Sequence, residues 1–254
     1  MTEFEHALQN ALCGSAATAR YRVLPCTTST NTELKEAARA GELAPAVLIA
    51  HAQTAGRGRL GRSFFSPEGG LYMSVILCPE QVFCGTGFCT AAAALAAKDA
   101  LEYFGVQGLS VKWVNDLLKD GRKVAGILTE ARSENGKISR IVVGIGVNLR
   151  APDGGFPEEI RDRAGDVGFE GDRLALVAKI AENLGEYVSK TATEIAALYS
   201  KSLALIGKRA TVTDYADGQK KLCGEILGVD ENCFLCLKLD SGEIRHVSSG
   251  EIIG

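Results

Sequence analysis

The densest chemistry in the sequence lies in one segment, Gln53-Thr-Ala-Gly-Arg-Gly-Arg-Leu-Gly-Arg62, where arginines at 57, 59 and 62 alternate with glycines at 56, 58 and 61. Glycine lets a ligand approach the backbone closely, and each guanidinium offers a planar fork to phosphate or carboxylate oxygens. These types at this spacing suit a loop that wraps a polyanion. Three like charges on pliable backbone repel one another, so without an anion the loop is expected to be mobile. The residues alone leave a solvated basic loop equally open. The glycines also match G-x-G-x-x-G, but a dinucleotide turn runs straight into a helix. Here Arg62-Ser-Phe-Phe-Ser-Pro67 and Gly69-Gly70 lead into another strand, and Glu80, at the distance of a ribose-binding acid, follows Pro79 with no helix between. Dinucleotide binding is not expected.

The elements around the loop read as alternating strands and helices. Residues 4–12 have helical spacing; an extended YRVLPC from Tyr21 precedes TTSTNTELKEAARAG, a helix pattern closed by Gly41. Ala46–Ala50 is a β-branched run that feeds the loop, and in the following LYMSVIL Leu71, Met73, Val75 and Leu77 share one face. Residues 90–104 form a strong helix stopped at Gly105. From Leu109 to Leu149 successive strands turn at Asp120-Gly121 and Asn135-Gly136, an antiparallel meander. A Pro/Gly-rich stretch at 151–172 precedes one long amphipathic helix over 173–200, with Leu174, Val177, Ile180, Leu184 and Tyr187 on its stripe. After Gly207 short strands punctuated by Asp217-Gly218, Glu231-Asn232 and Ser241-Gly242 suggest a small β-barrel. The expectation is an α+β fold with a mixed, mostly antiparallel sheet, divided into a catalytic domain over 1–205 and a small domain over 206–254.

Composition limits what the loop can bind. The chain of 254 residues is 46% hydrophobic with a formal charge of −3, so it folds around a core and has no global positive field for nucleic acid or an anionic membrane. No apolar stretch approaches a membrane span, and Glu3 and Glu5 stand where a targeting peptide would be basic; a cytoplasmic location is expected. The eight cysteines read as reduced thiols. Cys233 and Cys236 would face opposite sides of an extended strand, so they are taken as small apolar residues rather than a zinc pair. His51 before the loop could contact a phosphate or be an ordinary hydrogen-bonded histidine; His6 and His246 have no suggestive neighbours.

Around the loop, Ser29-Thr30-Asn31, Gly70-Leu-Tyr-Met-Ser74, Lys112-Trp-Val-Asn-Asp-Leu117, Lys123-Val-Ala-Gly-Ile-Leu128 and Gly144-Ile-Gly-Val-Asn148 follow in order. With it, these blocks strongly resemble the biotin–protein ligase (biotin–[acetyl-CoA-carboxylase] ligase) family, by motif over about residues 21–150 and by layout beyond. Val114 departs from the family's Lys-Trp-Pro-Asn-Asp, which relaxes the backbone there. Only about 20 residues precede the first motif, so the family's winged-helix DNA-binding domain and a repressor role are not expected. The resemblance implies a class II synthetase-like catalytic domain with an SH3-like C-terminal barrel.

It further implies an ATP-dependent ligase, with Mg²⁺ bridging phosphate oxygens, that makes biotinyl-5′-AMP and hands biotin to a lysine of a biotin carboxyl carrier domain. The implied catalytic residues are Lys112 and Arg59. For biotin the resemblance points to Ser29, Thr30, Asn31, Gln53, Gly56, Arg57, Gly58, Arg59, Lys112, Leu117, Gly126, Gly144 and Gly146. For ATP it points to Arg57, Arg59, Arg62, Phe64, Lys112, Asn115 and Asn148. Ser29-Thr30 could equally cap the next helix, Phe64 could be core, Lys112 could be an exposed strand end, and Asp116 could position metal or ribose or merely turn the strand. No metal ligand is assigned, and a homodimer is left open. A lipoate–protein ligase shares the architecture and is the alternative; the full Arg-Gly-Arg-x-Gly-Arg block favours biotin. A binding module without catalysis would lack a productive cation, which Lys112 and the loop arginines supply.

Overall fold

The computed structural model describes residues 20–41 and 46–253, so the helical pattern at 4–12 lies outside the described residues. The elements are β1 (Arg20–Thr27), α1 (Thr30–Arg39), β2 (Ala46–Gln53), β3 (Leu71–Leu77), α2 (Cys89–Tyr103), β4 (Leu109–Lys112), β5 (Asp116–Lys119), β6 (Arg122–Glu134), β7 (Lys137–Val147), α3 (Arg173–Val188), α4 (Ala192–Ser202), β8 (Arg209–Asp214), β9 (Lys220–Val229), β10 (Leu235–Leu239), β11 (Ile244–Val247) and β12 (Gly250–Ile253). A seven-stranded sheet has the order β1-β2-β3-β7-β6-β5-β4. Its β1–β2 pair is parallel and its other pairs are antiparallel, as the mixed-sheet reading expects.

The hairpin turns form where the sequence places them. Asp120-Gly121 and Asn135-Gly136 have φ of 51°, 75°, 51° and 76°, so both residues of each turn enter the left-handed region that a two-residue hairpin requires. Gly41 and Gly105 close α1 and α2 with φ of 88° and 92°. Leu71, Met73, Val75 and Leu77 do join the main core, but every residue of β3 is buried. Helix α1 covers the other face, where Leu34 and Ala38 pack on Leu48, Ile76 and Val142.

The long helix expected over 173–200 is instead two helices. Thr191 accepts a hydrogen bond from the Glu194 amide at 3.3 Å, while the Thr191 amide donates to the Glu194 carboxylate at 2.9 Å. This reciprocal capping box starts a new helix at Ala192 and outweighs the continuing apolar stripe.

Where a small barrel is expected, residues 209–253 form a five-stranded antiparallel sheet ordered β11-β10-β9-β8-β12, with β11 and β12 at its edges. Its inward residues, among them Val212, Ile226, Leu235, Leu237 and Ile252, continue the core of the first sheet. Trp113, buried after β4, donates its indole N–H to the Cys233 carbonyl at 3.0 Å and ties the two sheets together. The Trp113–Val114 peptide, at the position where the family carries proline, is cis. No helix of the described residues is long and apolar enough to cross a membrane.

Candidate active site

Two adjoining chambers open beside the arginine–glycine loop. The first, about 300 Å³, lies between the start of α1, β2 and the central strands β3, β7 and β6, and is lined by Ser29, Thr30, Asn31, Gln53, Gly126, Gly144 and Gly146 among others. Thr30, Asn31 and Gln53 are already hydrogen-bonded within the chamber wall or to the groups behind it. Gln53 Oε1 accepts from the Thr30 amide at 2.9 Å and from the Thr30 hydroxyl at 3.2 Å, and Gln53 Nε2 donates to Ser66 Oγ at 2.9 Å. Ser74, fully buried on β3, sits 2.6 Å from Asn31 Oδ1 and 2.7 Å from Thr30 Oγ1. The Asn31 amide nitrogen donates to the Leu128 carbonyl at 3.1 Å and to Glu130 at 3.2 Å. Ser29 occupies the N-cap position of α1 but makes no side-chain cap bond. The Thr30 hydroxyl is likewise spent on Gln53 and Ser74, so the cap reading of this pair gives way to a polar wall.

Glycine is required where strand meets wall. A Cβ at Gly144 would stand 2.1 Å from Asn31 Oδ1, and one at Gly146 would stand 2.7 Å from the Phe64 ring.

The second chamber, about 700 Å³, is lined by the loop, Lys112, Asn115, Asp116, Lys123, Tyr215, Gly250 and Glu251. It shares Arg57, Phe64, Gly126 and Leu128 with the first. The three loop arginines do not crowd one another as like charges on a free loop would. Each reaches a different anchor: Arg57 pairs with Glu130 at 3.0 Å, Arg59 donates to Asn115 Oδ1 and to the Gly250 carbonyl at 3.3 Å each, and Arg62 makes a two-pronged pair with Glu251 at 2.7 and 2.5 Å. The Gly58 amide donates to the Arg62 carbonyl at 2.7 Å and Arg57 bridges Ser63, so the loop folds back as a tight hairpin.

Charge in this chamber is unevenly spent. Arg62 holds the Glu251 carboxyl down to about 2, with help from the Tyr215 hydroxyl. Burial disfavours the Glu130 carboxylate, but Lys35, Asn31 and Arg57 outweigh it and hold the group below its ordinary range. Lys123 pairs with Asp116 at 2.6 Å. Arg59, by contrast, meets only neutral acceptors by hydrogen bond, and burial pulls its guanidinium below the ordinary value. The Lys112 side chain makes no hydrogen bond or ion pair among the described residues. Two cations with no carboxylate bonded to them therefore face one chamber, an arrangement that draws an anion into it.

Comparison with known proteins bears on what that anion is. Residues 23–148 match the biotin/lipoate A/B protein ligase family, and residues 205–253 match the biotin protein ligase C-terminal domain. The chain is 32% identical over 235 residues to the bifunctional ligase/repressor BirA of Escherichia coli, covering 91% of this chain and 72% of that protein. It belongs to the biotin protein ligase family. A similar relative, BirA of Bacillus subtilis, is 31% identical over 215 residues, and the match spans 81% of this chain and 65% of that protein's length. Among solved structures, the biotin protein ligase of Aquifex aeolicus in complex with biotin and ATP superposes with a TM-score of 0.78 at 29% identity, covering 92% of this chain and 97% of that one.

Of the residues the family resemblance singles out, the structure gathers Ser29, Thr30, Asn31, Gln53, Gly144 and Gly146 around the first chamber and Gly58, Arg59, Arg62, Lys112 and Asn115 around the second; Arg57, Phe64 and Gly126 line both. It does not gather the rest. Leu117 is fully buried in the main core, because its position on β5 points it away from the loop. Asn148 turns its amide to the Gly165 carbonyl at 2.8 Å and lines neither chamber. Gly56 lies behind the wall, where a Cβ would stand 2.3 Å from the Phe64 carbonyl. His51 meets Arg173 at 3.5 Å instead of a phosphate position. Sequence reasoning missed Ser74, Glu130, Lys123, Tyr215 and Glu251. Ser74 and Lys123 lie inside blocks that carry the resemblance, whereas the other three carry no local signal.

Proposed function

We propose that this chain is an ATP-dependent ligase that activates biotin as biotinyl-5′-AMP and transfers it to a lysine of a biotin carboxyl carrier domain in the cytoplasm. The observation that carries the reading is the pairing of a hydrogen-bonded polar chamber with one holding two cations bonded to no carboxylate, across a wall shared by Phe64 and Gly126. Residues 1–205 would hold this site and residues 206–254 would form the C-terminal domain that contributes Tyr215, Gly250 and Glu251 to it.

The first chamber suits a compact bicycle with a urea head: a few fixed polar groups set its orientation and glycines leave it room. The carboxylate of the bound acid would then enter the second chamber, where it must approach an α-phosphate of the same sign. Lys112 and Arg59 offset that repulsion and stabilise charge as the carboxylate oxygen bonds to phosphorus and pyrophosphate leaves. In the second step the acceptor lysine's amine attacks the acyl carbon, the acyl–oxygen bond breaks, and AMP departs. Asp116 is a hard oxygen donor of the kind Mg²⁺ takes alongside phosphate oxygens, and Mg²⁺ bound there would neutralise phosphate charge. Arg57 and Arg62 hold the loop over the chamber, where it keeps water from the mixed anhydride.

Incubation with ATP, magnesium and radiolabelled biotin, with and without a carrier domain, tests the reading. Biotin-dependent exchange of pyrophosphate into ATP and label on a single carrier lysine are expected. Exchange that lipoate supports and biotin does not would overturn it.

A further inference from the structure

His246 has neighbours after all, and they lie outside the site described above. Strands β10 and β11 pair Cys236 directly opposite His246, which places the two side chains on one face of the sheet. The β9–β10 turn adds Asp230. His246 Nδ1 lies 2.7 Å from Asp230 Oδ2 and 3.7 Å from Cys236 Sγ, and the three ligand atoms all fall within 4.8 Å of one another.

We propose that Asp230, Cys236 and His246 form a surface site for a single borderline-soft divalent ion of the Zn²⁺ class. Thiolate, imidazole and carboxylate around a tetrahedral ion stand ~3.3–3.6 Å apart, so the sulfur–nitrogen spacing already fits, the nitrogen–oxygen pair needs to open by ~0.6–0.9 Å, and the sulfur–oxygen pair starts within 4.8 Å. A fourth position stays free for water. The Asp230 carboxylate is preset for this role: its other oxygen accepts from the Asn232 amide at 2.9 Å and the Phe234 amide at 3.0 Å, which aims Oδ2 at the imidazole. Such outer bonds are what orient metal ligands.

A nucleophilic Cys-His-Asp relay is excluded by the same geometry, because thiol and carboxylate converge on one ring nitrogen and no proton can pass through the ring between them. A bound cation takes the Cys236 side chain as its thiolate, the proton leaving to solvent. Cys233 takes no part: it is buried, and its carbonyl accepts from Trp113.

Co²⁺ titrated into the full chain, stripped of metal and kept reduced, tests the site. The expected result is a thiolate-to-cobalt charge-transfer band that saturates at one equivalent and is bleached by Zn²⁺. Cys236→Ser abolishes the band. His246→Ala and Asp230→Asn each weaken binding at least about tenfold, and Asp230→Asn keeps the oxygen that holds the turn. Cys26→Ser and Cys223→Ser, at exposed thiols, leave the band unchanged. Metal-free melting curves of each variant, recorded beside the titration, separate lost binding from lost folding. The proposal is overturned by a band that survives Cys236→Ser, by no band at millimolar Co²⁺, or by affinity indifferent to both His246→Ala and Asp230→Asn.

Discussion

Ser74→Ala separates a binding wall from a merely structural network. Ser74 is fully buried, 2.6 Å from Asn31 Oδ1 and 2.7 Å from Thr30 Oγ1. A hydroxyl carries one proton; Asn31 Oδ1 can only accept, whereas Thr30 brings its own hydroxyl, so the proton is owed to Asn31. Its removal leaves a buried amide oxygen without a donor, at a cost of about 1–3 kcal/mol. Part of that appears in folding: at ~2–4 °C per kcal/mol for a chain of this size, melting should fall by no more than ~2–12 °C. Part appears in ligand binding, because Asn31 then loses its fixed orientation in the first chamber; ~1–2 kcal/mol there is a loss of about 5–30-fold in biotin affinity. Lys112 and Arg59 stand in the other chamber, so kcat at saturating biotin should change by less than about threefold. Calorimetric biotin binding, pyrophosphate exchange at varied biotin and a thermal melt read these quantities separately. A lowered melting point with biotin KM unchanged would refute the reasoning and make the network structural only.

Lys112→Ala should slow adenylate formation by about 10²–10³, the scale of one preorganised electrostatic group, with pyrophosphate release as the readout; an unchanged rate removes Lys112 from the mechanism. Arg59→Gly should release adenylate prematurely and label lysines indiscriminately, which mass spectrometry of a carrier mixed with a bystander protein would detect. Gly144→Ala sets a methyl 2.1 Å from Asn31 Oδ1, and overpacking of ~1–3 kcal/mol should weaken biotin binding by at least about fivefold with ATP KM little changed. Low pH should undo the loop anchor at Glu251. Its carboxyl lies near 2 in the fold against an ordinary 4.5, so the stabilisation is complete above 4.5 and is lost as pH falls toward 2. The Glu251 side chain is 37% exposed, so solvent screening reduces the value to about 1 kcal/mol. Urea unfolding of Glu251→Gln should therefore show a deficit of about that size at pH 7 and a vanishing one near pH 2.

What the sequence discloses follows the range of the forces involved. Turns are local: Asn135-Gly136 needs only its own backbone preferences, and β6 and β7 pair around it as read. The capping box at Thr191 is local too, carried by Thr191-Ala-Thr-Glu194, but the apolar stripe that continues on both sides of it carries no mark of the break. Glu130 and Glu251 are different. They meet Arg57 and Arg62 across 73 and 189 residues of chain, and no periodicity marks a carboxylate that will become a loop anchor. Cys236, His246 and Asp230 lie closer in sequence, but opposition across the β10–β11 pair depends on register, and a slip of one residue would send the imidazole to the other face.

The division of the site into two chambers has a physical cause beyond ligand shape. A wall of mutually satisfied dipoles, such as Gln53, Thr30, Ser74 and Asn31, loses little when a neutral ring replaces water beside it, and its strength lies in fixed orientation. A charged chamber gains from the opposite condition: Lys112 and Arg59 act on a developing charge because no carboxylate bonds to them. The remaining charged groups are neutralised in pairs: Arg57, which lines both chambers, is paired with Glu130, and the second chamber's carboxylates Asp116 and Glu251 are paired with Lys123 and Arg62. The junction between the chambers is lined by Arg57, Phe64, Gly126 and Leu128. At Gly126, which both chambers share, a Cβ would press on the Phe64 ring at 3.1 Å and on Lys123 Nζ at 3.2 Å, so a side chain there would have to shift the two groups that flank the junction.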